Sequence, residues 1–152
     1  GAGDERGLRP GTENGASIVG LGVACEIAVR DLESMAAELR RRRDALWDQL
    51  QAGVPGIELN GHRTLRLPNT LNVRFPRVTG SAVLAAAPDI AAATGSACHA
   101  GTTQASGVIL AMGIEPESAL GSVRLTLGRR TTDDEIGRAA DAVIRAWRAA
   151  IC

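Results

Sequence analysis

From Ser17 to Ala52 the chain carries no proline, and apolar residues return every three or four positions: Ile18, Leu21, Cys25, Ala28, Val29, Leu32, Met35, Ala36, Leu39, Leu46 and Leu50. That spacing puts them on one face of a helix. The pattern therefore predicts one long helix over about 17–52, or two nearly collinear ones. Gly53 stands at the stop and Pro55 just beyond it. Any fold for this chain must accommodate that element. Cys25 falls on the apolar stripe and is expected to be a small buried core residue. The run Arg40-Arg41-Arg42-Arg43 is expected to be a solvated helix face, with one arginine packing inward through its aliphatic stem; the alternative is a nucleic-acid or partner patch.

The segment before the helix, "GAGDERGLRPGTENGAS", is glycine-rich and polar and reads as a loop that something else should hold. After the helix, "GIELNG" and "TLNVRFP" read as short strands separated by a loop through His62 and Pro68. His62 is expected to be an exposed loop residue. Residues 80–87 form a short helix that Pro88 ends. "DIAAATGSA" reads as a strand running into the segment that carries Cys98. "SGVILAMG" is a short helix closed by Gly113, and Pro116 suits the first turn of another. In "SVRLTLG", Val123, Leu125 and Leu127 alternate with Arg124 and Thr126, the pattern of a half-buried strand with its polar face outward. Thr132 to Glu135 has the form of a capping box. It opens a last helix with Ile136, Ala140, Val143, Ile144, Trp147 and Ile151 inward. The expected fold is an α/β (α+β) domain, a small mixed sheet flanked by helices plus the long N-terminal helix.

Composition narrows the function. The chain has 152 residues, the size of one domain, with 45% apolar residues and a formal net charge of zero. No global basic field argues for nucleic acid, and no interleaved aromatics offer a stacking surface. No apolar run reaches the roughly 20 residues of a membrane span, and no secretory signal opens the chain. Three cysteines, Cys25, Cys98 and Cys152, have no disulfide-framework spacing. The expectation is a cytoplasmic protein with no nucleic-acid or membrane partner.

The chemistry concentrates in "ATGSACHAG". A reactive cysteine needs a thiolate, access and room. Small neighbours leave space for a substrate, and Gly95 and Gly101 permit hinge conformations. His99 adjoins Cys98, but neighbouring side chains generally point apart. From this chemistry alone, Cys98 can be a reactive or a structural thiol. Cys98 and His99 are too poor a set for zinc, and no metal site is expected.

Five blocks carry a resemblance, in order and in register: "GAGDERGLRPGTEN", "LPNTLNVRF", "ATGSACHAG", "VILAMG" and "ALGSVRLTLGRRTTDDEI". They resemble the cysteine desulfurases, class V aminotransferase-type enzymes of pyridoxal-phosphate fold type I. The resemblance covers essentially the whole chain and corresponds to the C-terminal portion of that family. It implies that Cys98 is the nucleophile that takes sulfur from L-cysteine as a persulfide, leaving L-alanine. It implies that Arg124 grips the substrate carboxylate, a bidentate task suited to a planar guanidinium. Without the resemblance Arg124 reads as an exposed strand arginine. Thr12, in "RPGT", matches the threonine that reaches the cofactor phosphate of the partner subunit. By itself Thr12 reads as a helix-cap or turn residue. His99 takes no role.

One departure is decisive. All 17 basic residues are arginine, so the chain has no lysine to form the Schiff base to pyridoxal phosphate. The expectation is a C-terminal piece, inactive alone. Residues 1–16 would be a loop remnant of the large cofactor domain. Residues 17–152 would be the small domain, with the linking helix at about 17–52 and the nucleophile loop at about 94–107. The implied partners are L-cysteine, a sulfur-acceptor protein such as an iron–sulfur scaffold, and a second copy in a homodimer. Other readings are a selenocysteine lyase, a non-enzymatic persulfide carrier and a dimerisation fragment. Exposed apolar faces predict self-association through the long helix.

Overall fold

The structure is a computed structural model that describes residues 4–95 and 104–151. Two compact units are present, Gly1–Met35 and Ala36–Cys152. Helix α1, Gly15–Gly53, is continuous across the boundary. Asn14 caps it: its side-chain oxygen accepts from the Ser17 N–H at 3.1 Å and its carbonyl from the Ile18 N–H at 3.1 Å.

In the first unit the apolar row of α1 is exposed. Ile18 is 60% and Val29 78% solvent-accessible, and Cys25 is exposed as well. The expected burial of Cys25 is therefore corrected. Helical periodicity shows that a face is apolar; it does not supply the element that covers it.

The second unit holds the core. Thr70–Arg74 (β2) lies between Glu58–Leu59 (β1) and Ser122–Thr126 (β3). The sequence suggests a mixed sheet, whereas the described ladders are all antiparallel, with Asn72 opposite Arg124 and Val73 opposite Val123. Alternation sends Leu71, Val73, Val123 and Leu125 to one face. There they meet Leu46, Leu50 and Val54 from the end of α1 and its following turn, and Val143 and Trp147 from α5, Asp133–Ala150. Burying each such side chain stabilises by about 1.5–3 kcal/mol. Gly53 does more than end a helix. A Cβ there would fall 2.3 Å from Ile144 Cδ1, so the absence of a side chain lets α5 close on α1.

Three short helices complete the unit. Gly80–Ala85 (α2) is capped by Thr79, whose hydroxyl accepts from the Ala82 N–H, and it packs on α5 and β3. Gly107–Ala111 (α3) is followed by Gly113 at φ +79°, and Pro116–Ala119 (α4) has its proline in the first turn. The capping box at Thr132 and Glu135 forms in both directions. Arg43 is the buried member of its arginine run, 4% exposed.

Three further expectations are corrected. The strand over 89–97 reduces, within the described residues, to a single bridge between Ala93 and Arg124. Its alanine run has little tendency to extend, and the Ile90 N–H turns back to the Ala87 carbonyl at 3.0 Å. Ile151 is exposed rather than inward, because it follows the last turn of α5. The strand expected over 56–61 narrows to Glu58–Leu59.

Candidate functional site

Arg124 sits at the middle of β3 with its side chain on the polar face. Its backbone is fixed on both sides. Asn72 is its register partner in β2, and across the other edge the Arg124 N–H donates to the Ala93 carbonyl at 2.7 Å while the Ala93 N–H donates back at 3.2 Å. That pair of bonds ties β3 to the chain entering the Cys98 segment. Cys98 and His99 themselves lie outside the described residues. The Arg124 side chain is exposed, and among the described residues nothing pairs with its guanidinium.

Beneath Arg124 lies a polar cluster. Asn60, 4% exposed, follows β1. Its amide nitrogen donates to Asn72 Oδ1 at 2.8 Å and to Ser122 Oγ at 3.0 Å. Its amide oxygen accepts from Arg74, which also reaches Glu58. One buried amide thus joins all three strands at the polar face. Ser122 and Asn72 are the polar-face neighbours of Arg124, along β3 and across from it. The sequence reading missed Asn60, Asn72, Arg74 and Ser122. An asparagine inside a strand, where that residue is disfavoured, is the signal that marks Asn72.

Thr12 belongs to the first unit, in the exposed loop before α1. Gly11 precedes it at φ +105°, and Arg9 spans it, donating to the Gly11 carbonyl at 3.0 Å and to Glu13 at 2.5 Å. Asn14 performs the capping, so Thr12 is not the helix cap.

A cavity of about 710 Å³ opens between β3 and α5, beside residues 89–91. Among the described residues no three metal-type ligands come together, and no helix is long and apolar enough to cross a membrane.

Comparison with known proteins identifies the family. The aminotransferase class-V profile matches residues 2–138. The chain belongs to the aminotransferase class-V family. Cysteine desulfurase IscS 1 of Archaeoglobus fulgidus is 43% identical over 140 residues, which is 91% of this chain and 36% of that protein. Cysteine desulfurase NifS of Azotobacter vinelandii is 45% identical over 136 residues, 88% of this chain and 34% of that protein. The X-ray structure of a NifS-like protein from Rickettsia africae superposes with a TM-score of 0.79 at 25% identity, covering 97% of this chain and 39% of that one. The chain spans about a third of the length of the curated relatives it matches.

Proposed function

We propose that this chain is the nucleophile-bearing part of a cysteine desulfurase, a pyridoxal-phosphate-dependent transferase that converts L-cysteine to L-alanine and passes the sulfur on. In this reading Cys98 receives the sulfur as a persulfide, and Arg124 holds the substrate carboxylate. Thr12 offers its hydroxyl to the cofactor phosphate of a partner subunit. Residues 1–16 belong with the cofactor domain, and 17–152 form the small domain. The acceptor is an iron–sulfur scaffold or a protein of similar role, and the setting is cytoplasmic. The observation that carries the proposal is the Arg124 guanidinium on β3, which has no partner among the described residues, with its backbone bonded to Ala93 ahead of Cys98 in sequence.

Pyridoxal phosphate supplies the electron sink that makes the carbon–sulfur bond of the substrate breakable. The donor set of this chain does not hold that group by itself. It has no lysine, and Thr12 contributes a single hydroxyl. The chain alone is therefore inactive, and the amine comes from a polypeptide region outside these 152 residues. The exposed apolar row of α1, Ile18 to Leu32, supports association with such a region or with a second copy.

The test is replacement of the corresponding third of the Archaeoglobus fulgidus relative by this chain, followed by sulfide release from L-cysteine under reductant. Turnover that vanishes in Cys98→Ser, and a raised KM in Arg124→Gln, are expected. Mass spectrometry of the unreduced protein should show one added sulfur on Cys98. A chimaera that turns over equally well as Cys98→Ser would overturn the assignment. So would sulfide release by the 152-residue chain alone above the level of free cofactor.

A further inference from the structure

Away from β3, a groove of about 470 Å³ opens between the second half of α1 and the loop over 60–67. Four arginines line it: Arg40 and Arg43 from α1, Arg63 and Arg66 from the loop. Two of them are held in place. Arg43 donates from Nε and Nη2 to Asp44 and from Nη1 to the Leu67 carbonyl at 2.9 Å. Arg66 donates from Nε to the His62 carbonyl at 2.7 Å and from Nη2 to the Asn60 carbonyl at 2.8 Å, which leaves Nη1 unused. Among the described residues, Arg40 and Arg63 have no partner.

The lining has more donors than acceptors. Asp44 pairs with Arg43 through one oxygen, and the two carboxylates of the lining, Asp44 and Asp48, face four arginines. Trp47, also in the wall, has a buried indole N–H with no acceptor. Arg66 is partly buried beside Arg43. Burial first, and repulsion from Arg43 second, hold its pKa below the ordinary arginine value, against an opposing pull from Asp44. A donor-rich space with an unrelieved positive field favours a multiply charged anion.

We propose that this groove binds a small oxyanion of the phosphate class. Guanidinium forks match phosphate oxygens in pairs. The pinned Arg66 provides a preset edge, and the unpaired Arg40 and Arg63 close on the anion from the two walls. A dianion balances the surplus that remains after Asp44 and Asp48. An acidic peptide is the weaker candidate, because the groove is small, about 470 Å³. The proposal is independent of the sulfur chemistry assigned to Cys98.

Isothermal titration of the chain with sodium pyrophosphate at constant ionic strength tests it. One-to-one binding with a dissociation constant below about 1 mM is expected. It should weaken at least tenfold in Arg40→Gln/Arg63→Gln and stay unchanged in Arg77→Gln/Arg130→Gln, which removes the same charge elsewhere. Arg63→Lys, which keeps the charge and loses the fork, should fall between. Parallel titrations with inorganic phosphate and AMP separate a free anion from a nucleotide-borne phosphate, and binding of either supports the site. No saturable heat in the parent chain overturns the proposal. Equal weakening in the two double variants does the same. Binding of an oligoglutamate peptide without binding of pyrophosphate overturns it in favour of an acidic protein partner.

Discussion

Replacing Asn60 by alanine should test whether one amide holds the polar face of the sheet together. The substitution strips three hydrogen bonds at once: those to Asn72 and Ser122, and the charged one from Arg74. Ser122 is 2% exposed, so no water replaces its partner. A neutral bond is worth about 1 kcal/mol and one to a charged group about 1.5–3 kcal/mol. Water reaching the half-buried Asn72 and Arg74 offsets part of that sum, leaving about 3 kcal/mol. For a domain of this size the melting temperature should drop by about 6–12 °C. Urea unfolding followed by far-UV circular dichroism should show a lower midpoint with an unchanged slope. Ser122→Ala alone should cost about 1 kcal/mol, and most of that cost should disappear in the Asn60→Ala background. A loss below about 1 kcal/mol for Asn60→Ala, or full additivity of the pair, would refute the reasoning.

Gly80→Ala places a Cβ 2.3 Å from the Ser122 carbonyl and 2.9 Å from Val123 Cγ2, so it should destabilise by about 1–3 kcal/mol despite the better helix former, read as a lower melting temperature. Thr132→Ala should cost about 1 kcal/mol by removing the cap of α5, measured by denaturant titration. The Glu135 carboxyl is held below the usual carboxylate range by the Thr132 N–H first and the Thr132 hydroxyl second. Its folded value lies below its unfolded one, so its contribution is present above the ordinary glutamate value and is lost as pH falls through the folded value. Glu135→Gln should therefore flatten the acid limb of the stability profile, and an unchanged limb would count against the capping box as its source.

What the sequence revealed was mostly local. The capping box at Thr132, the proline in the first turn of α4 and the alternation in β3 depend on neighbours within four residues, and each is found where the pattern puts it. The single buried arginine of the 40–43 run was legible in kind, since a four-residue charge run on an amphipathic helix must turn one member inward. The failures are questions of partnership. Cys25 reads as core because its helix is amphipathic there, yet its exposure depends on what covers that face. The alanine run after Ile90 reads as a strand until its ladder is counted as one bridge. Asn60 and Ser122 are 62 positions apart, and nothing in their surroundings announces that they share a hydrogen bond. Arg124 and Thr12 became candidate site residues only through the family blocks around them. Their spacing alone marks one as a strand residue and the other as a turn residue.

The bridge between Ala93 and Arg124 also sets a tether length. Ala93 is a fixed post, bonded at both its N–H and its carbonyl to the middle of β3. Cys98 stands five positions beyond it in sequence, which is at most about 18 Å of fully extended backbone. A residue inserted between Ala93 and Cys98 lengthens that stretch of backbone by at most about 3.5 Å. In the sulfur-transfer reading, the distance over which cargo can be handed across is written in the five residues on the near side of the cysteine.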